Sequence, residues 1–163
     1  MKYQDKHIEI EIGSSLNGRI SGKTDIFTQF FKLAHAGDYF NLAAYLPYES
    51  KTEKLFQRAR LNLHNATKKA TMFGFGPRYL HSTGQLHKGG PNSCLVILVT
   101  AETNANAQIP GQPFGFRELE YAQALGDFQA LVSKGRLVLH VHLKKPVSFA
   151  LLRLEKLLNV TSS

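Results

Sequence analysis

The residues that could do chemistry are concentrated in one stretch of fifteen, Arg78–Asn92, called the histidine segment below. It contains His81, His87 and Lys88, several hydroxyl and amide side chains, and three glycines. A histidine is suited to proton transfer because its reference pKa, about 6.5, lies near neutral pH. The segment also directly precedes an apolar run typical of a buried strand. Its composition therefore suggests a site for acid–base chemistry.

Three other kinds of site have weaker support. The turn 74–76 is rich in glycine, but neither a P-loop nor a complete dinucleotide-binding motif is present. His140 and His142 share one strand face without a third ligand at a suitable spacing, so we expect no metal. Ser82 is not in a Gly-x-Ser-x-Gly elbow, which argues against a serine hydrolase. Acid–base work by His81 stays open against the alternative of a structural histidine that caps its own loop.

The charge of the chain makes anions plausible ligands. The net charge is +8, but the basic residues are scattered from Lys2 to Lys156 without a block of like charges or a nucleic-acid-binding motif. We therefore expect no nucleic acid partner, whereas a small phosphorylated anion would be attracted by the same field. Lys88, beside Gly89 and Gly90, could bind such an anion, although an exposed, solvated lysine is the default.

Length and composition predict a globular domain, since the chain has 163 residues of which 43% are hydrophobic. The longest apolar runs, about eight residues, are far shorter than the roughly 20 needed to cross a bilayer. Residues 1–5 lack the apolar core of a signal peptide. We therefore expect a cytoplasmic protein with no membrane partner. The single cysteine, Cys94, begins an apolar run and is expected to be buried.

The elements that must position the histidine segment alternate between strands and helices. Periodicity predicts strands over 7–12, 39–46, 70–75, 94–100 and 136–143, and helices over 25–36, 53–69, 116–133 and 147–158. This alternation predicts an α/β fold, a three-layer sandwich in which helices cover both faces of a mainly parallel sheet. Residues 1–24 are expected to form an N-terminal edge strand and turn. Ligands of such sheets bind at the carboxyl ends of the strands, where the segment after strand 70–75 would lie.

The histidine segment closely resembles the corresponding part of bacterial glucose-6-phosphate isomerases, especially the isomerase portion of fused transaldolase/glucose-6-phosphate isomerase proteins. The likeness extends over roughly residues 25–145 and includes 37–47, 109–114 and 123–131. It implies that residues 25–163 form a C-terminal sugar-isomerase (SIS-like) domain. Such a domain would take part in glycolysis and gluconeogenesis by interconverting glucose 6-phosphate and fructose 6-phosphate through an enediol, without a cofactor.

The resemblance also implies roles for particular residues. His81 and Gln85 have the spacing of the family's His-x-x-x-Gln segment, so His81 would be the catalytic residue that opens the sugar ring. Gln85, Lys88 and Arg78 would line or position the sugar phosphate. The partial match at residues 49–51 to the motif of the family's glutamate base is too weak to assign.

The resemblance further implies a partner. The family's ring-opening histidine usually comes from across a dimer interface, and its phosphate-binding serines and threonines belong to a first domain with no counterpart in this sequence. A homodimer, or an association with a first isomerase domain, is therefore expected. The alternative is a non-catalytic sugar-phosphate-binding or interaction module of the same fold.

Overall fold

The computed structural model of the chain describes residues 2–22, 25–102 and 107–159. The strands are β1 (Lys2–Gln4), β2 (Ile8–Ile12), β3 (Tyr39–Tyr45), β4 (Ala70–Phe75), β5 (Cys94–Ala101) and β6 (Leu137–Leu143). The helices are α1 (Ile26–Lys32), α2 (Ser50–Thr67), α3 (Gly84–Gly89), α4 (Phe116–Ser133) and α5 (Val147–Leu158). Short 3-10 helices are formed by Ser14–Leu16 and Arg78–His81.

All six strands belong to one sheet in the order β1-β2-β6-β5-β3-β4. Strands β3, β4, β5 and β6 run parallel to one another, whereas β2 pairs antiparallel with both β1 and β6. Strands β3 and β5 are buried along nearly their whole length, as expected for parallel strands covered on both faces. The predicted α/β architecture with a mainly parallel sheet is confirmed.

Helices cover both faces of this sheet and form two apolar cores. The larger core joins one face to α1, α2 and α5, and its largest buried side chains include Phe30, Phe40 and Phe56. The smaller core joins the other face to α4 and to the histidine segment, through Phe128 and Tyr79. The segment therefore lies beside α4, on the face opposite α2 and α5. No helix in the described part of the chain is both long and apolar enough to cross a bilayer.

The N-terminal strand differs from its prediction in one respect. Residues 7–12 were expected at the edge of the sheet, but β2 pairs with β1 on one side and with β6 on the other. The edge prediction was wrong, although Ile8, Ile10 and Ile12 are buried as their alternation predicts. Period-two alternation reports which face of a strand is buried and says nothing about its hydrogen-bonding edges.

Candidate ligand-binding site

A cavity of about 570 Å³ lies at the carboxyl ends of β3, β5 and β6. Its walls come from four stretches far apart in the sequence: 45–55, 100–102, 117–121 and 145–152. The polar side chains that line it are those of Tyr45, Glu49, Lys51, Thr52, Thr100, Glu102, Arg117, Glu120, Tyr121, Lys145 and Ser148. Leucines from α2 and α5 supply an apolar wall. This is the edge of a parallel sheet at which ligands commonly bind.

Three helices, α2, α4 and α5, begin at this cavity. The first turn of a helix presents unpaired N–H groups and the positive end of the helix dipole, which favour an anion. In α4 the N–H of Gly115 is occupied, because it donates a 2.7 Å hydrogen bond to the carboxylate of Glu118. Helices α2 and α5, by contrast, have no side-chain cap at Glu49 and Pro146. The N–H groups of Glu53 and Phe149 donate to the carbonyls of Glu49 and Pro146, whereas the N–H groups before them in each first turn receive no side-chain cap and can donate to a bound anion.

Cations and carboxylates are equally numerous around the cavity. The cations are Lys51, Arg117 and Lys145, and the carboxylates are Glu49, Glu102 and Glu120. Two of the carboxylates have partners. Glu120 pairs with Arg117 at 2.5 Å, and Glu102 accepts a 3.0 Å hydrogen bond from the backbone N–H of Lys145. Glu49 is exposed at the cavity and does not cap α2, so it is the carboxylate best placed to meet a ligand.

The histidine segment begins at the same edge of the sheet but lies outside the cavity. His81 is exposed at the end of the 3-10 helix that follows β4, the edge strand. The guanidinium of Arg78 stacks on the ring of Tyr48, 5.8 Å from its centroid. Gln85 is exposed on α3. The four predicted site residues, Arg78, His81, Gln85 and Lys88, are not among the described residues that line the cavity.

Lys88 instead points to a buried carboxylate of α4. Its ammonium lies 2.5 Å from Oδ1 of Asp127, whose side chain is only 2% exposed. Oδ2 of Asp127 accepts hydrogen bonds from the hydroxyls of Tyr79 and Tyr45, the latter at 3.4 Å. Burial, followed by the negative charge of Asp127, raises the pKa of both phenols, so they remain neutral donors. The ammonium of Lys88 is thus paired within the protein.

Sequence reasoning missed Asp127, although the sequence holds a signal for it. Asp127 lies three residues after Ala124 and four before Leu131, both of which are buried on the inner face of α4. A carboxylate at that spacing must enter the core, where an unpaired charge is very costly. Its position therefore predicts a buried partner, without predicting which residue that partner is.

A second buried polar cluster lies at the amino ends of β3 and β5. Nδ1 of His87 is 2.9 Å from the hydroxyl of Tyr39 and 3.6 Å from the sulfur of Cys94. Burial lowers the pKa of His87 and raises the pKa of the Cys94 thiol to about 12. The expected burial of Cys94 is confirmed, and a thiol of this kind is a poor nucleophile.

The two histidines of β6 share one hydroxyl as their hydrogen-bond partner. Oγ1 of Thr100 lies 2.8 Å from Nε2 of His140 and 2.8 Å from Nδ1 of His142. Burial is the largest cause that lowers the pKa of both imidazoles, to about 4 for His140. Within residues 2–22, 25–102 and 107–159, no three His, Cys, Asp or Glu side chains are grouped to hold a metal ion.

Comparisons with known proteins bear on the fold alone. No protein-family model and no curated protein matches this chain. Among solved structures, the chain is similar to a hypothetical protein, TT0462, from Thermus thermophilus, with a TM-score of 0.66 and 17% sequence identity. The similarity covers 89% of this chain and 40% of the length of that protein. At this identity the two chains share an α/β fold, and nothing about activity follows from it.

Proposed function

We propose that this chain is a sugar-phosphate-binding domain of the glucose-6-phosphate isomerase type. It would interconvert glucose 6-phosphate and fructose 6-phosphate together with a first isomerase domain. The proposal rests on the cavity at the carboxyl edge of the sheet, where two uncapped helix N-termini meet three cationic side chains. Uncapped helix N-termini suit a phosphate, and the surrounding carboxylates and hydroxyls suit a polyol.

In this proposal, some groups of the cavity bind the phosphate and a carboxylate transfers the proton. The first turns of α2 and α5, with Lys51 and Lys145, would hold the phosphate by charge-assisted hydrogen bonds. The Glu49 carboxylate would remove the proton from C2 of the open-chain aldose and return a proton to C1 of the enediol, while O1 gains a proton and O2 loses one. The proton held by the carboxyl group can exchange with water before it is returned, so part of the product carries solvent hydrogen. Substrate and product are isomers, so the reaction needs no oxidant or cofactor. Glu102 and Glu120 are less suited, because each already accepts a hydrogen bond within the protein.

The histidine segment would serve ring opening from outside this cavity. His81 is exposed, which leaves its imidazole accessible to a sugar held by a second chain or a first isomerase domain. Arg78 and Gln85 are exposed beside it and would accompany it to the sugar phosphate. Lys88 is the weakest of the expected ligands, since its ammonium is paired with Asp127.

Calorimetric titration with fructose 6-phosphate tests the binding site. Lys51→Met should weaken binding about tenfold, because it removes one charge-assisted contact. Lys54→Met is the matched control, since it makes the same charge change on an exposed position of α2 outside the cavity, and should leave binding unchanged. No heat of binding by the folded chain, or equal effects of both substitutions, would overturn the proposed site.

The chemistry requires a separate experiment. After mixing with a chain that carries a first isomerase domain, exchange of the C1 or C2 proton with deuterated water can be followed by NMR. Glu49→Gln should abolish exchange while binding is retained, and His81→Ala should slow turnover starting from the ring form. Unchanged exchange in Glu49→Gln would contradict the role of this carboxylate.

A non-catalytic module is the second candidate. It is favoured by one observation, namely that His81 does not line the cavity of its own chain. Fructose 6-phosphate binding without proton exchange, under every complementation with a first isomerase domain, would establish this alternative.

A further inference from the structure

Asp127 connects the wall of the cavity to the histidine segment. Two of its partners, Tyr79 and Lys88, belong to that segment, and the third, Tyr45, ends β3 and lines the cavity. The rings of Tyr45 and Tyr79 are also in edge-on contact, with centroids 6.0 Å apart at an angle of 79°. One carboxylate is therefore contacted both by a residue of the cavity wall and by residues of the segment that carries His81.

The burial of Asp127 makes these contacts interdependent. A carboxylate whose side chain is 2% exposed must keep its donors, because each one lost leaves charge unsolvated in the interior. Lys88 is partly exposed, with 25% of its side chain accessible, and could reach water if the carboxylate were removed. The segment is thus held in place by Asp127, whereas the ammonium of Lys88 could be solvated by water instead.

Tyr45, which links Asp127 to the cavity, has little room to move independently of the histidine segment. The ring of Tyr45 packs so tightly on Gly76 that a Cβ there would lie 2.6 Å from it. Gly76 immediately precedes the turn into the histidine segment, and its N–H donates to the carbonyl of Ala44 beside Tyr45. A ligand that fixes Tyr45 consequently restricts both the entry to the segment and its anchor at Asp127.

We propose that Asp127 is a positioning residue through which a sugar phosphate bound in the cavity orders the histidine segment. This inference rests on the proposed function, since it takes the cavity as the ligand site. Asp127 itself is buried and touches neither the ligand nor the reacting atoms. It acts by keeping Tyr45 of the cavity and Tyr79 of the segment on one shared acceptor.

Hydrogen exchange measured by mass spectrometry, with and without saturating fructose 6-phosphate, tests this coupling. In the unsubstituted protein, the sugar phosphate should slow exchange directly at 50–52 and 147–148, and indirectly at 78–90. Asp127→Asn should keep the direct protection and lose the indirect one, with exchange at 78–90 about tenfold faster in the bound state. Tyr79→Phe removes only one hydroxyl and carries the same test if Asp127→Asn does not fold.

Asp25→Asn is the matched control, because it removes one carboxylate charge at an exposed position before α1, on the opposite face. It should leave both protections intact. Equal protection of 78–90 in Asp127→Asn, Tyr79→Phe and the unsubstituted protein would overturn the positioning role while leaving the proposed function standing. Absence of protection at 50–52 and 147–148 in the unsubstituted protein would overturn the proposed function, and the coupling with it.

Discussion

Arg136 is a buried arginine whose replacement should strongly destabilise the fold. It precedes β6, is 3% exposed, and donates to the end of the histidine segment. Its guanidinium bonds the carbonyls of Lys88, Gly90 and Pro91, and the side-chain oxygen of Asn92, at 2.9, 2.5, 2.7 and 3.1 Å. The planar fork of an arginine can serve four acceptors at once, which a lysine cannot.

Arg136→Met keeps most of the aliphatic volume and leaves those four acceptors without their donor. A charge-assisted hydrogen bond contributes about 1.5–3 kcal/mol in favourable cases, and the exposed Asn92 can turn to water. We therefore expect a loss of about 3–5 kcal/mol in the free energy of unfolding, a large share of the roughly 5–15 kcal/mol of a typical domain. Arg136→Lys retains the charge but loses the fork, and should fall between Met and the unsubstituted protein.

Urea unfolding followed by circular dichroism measures these differences, and thermal unfolding should show a decrease in Tm of about 6–20 °C for Arg136→Met. Arg58→Met is the control, because that arginine pairs with Glu155 at the surface with 60% of its side chain exposed. An exposed pair of this kind contributes about 1 kcal/mol or less. If Arg136→Met cost no more than Arg58→Met, the four hydrogen bonds would not hold the segment, and our reasoning would be refuted.

Three further perturbations have expected outcomes. The pKa of His140 is lowered by burial to about 4, so the unfolded state binds the extra proton first as the pH falls. Stability should then decrease from about pH 6.5 towards pH 4, by about 3 kcal/mol, and His140→Gln should flatten this part of the urea-unfolding profile. Gly76→Ala should destabilise by about 1–3 kcal/mol, since its Cβ would clash with Tyr45, whereas Gly89→Ala meets no atom within 4 Å and should be nearly neutral. Cys94, 2% exposed with a pKa raised to about 12, should resist iodoacetamide until urea is added; alkylation in the native protein would contradict its burial.

The fold was largely predictable because the spacing of apolar residues within each segment indicates whether it forms a strand or a helix. The apolar runs at 39–46 and 94–100 became β3 and β5, and the helical spacing at 116–133 matches α4. What periodicity could not supply was the hydrogen-bonding neighbour of each strand. Three residues, Lys2–Gln4, carry too little pattern to predict a strand, yet their pairing moves β2 away from the edge.

The candidate cavity was harder to predict because its chemistry is not concentrated in one stretch. The histidine segment is rich in polar groups, and this composition predicted a site there. Several of those groups instead stabilise the fold: Lys88 pairs with Asp127, and His87 is buried beside Tyr39 and Cys94. The cavity instead takes a few side chains from each of four distant stretches. Only the shared carboxyl edge of parallel strands brings them together.

The backbone donors of the cavity explain why side-chain motifs give so little warning of it. The N–H groups at the start of α2 and α5 are present for any residue except proline, so the sequence at 50–52 and 147–148 need not carry a phosphate-binding signature. At each N-cap position, however, the sequence must lack a side chain that accepts a hydrogen bond from these N–H groups. Glu49 and Pro146 occupy the N-cap positions and make no side-chain cap, whereas Ser, Thr, Asp or Asn there would occupy a donor. A candidate ligand site of this kind is therefore recognisable from sequence chiefly by N-cap positions that lack the usual residues, at the ends of strands that the sheet brings together.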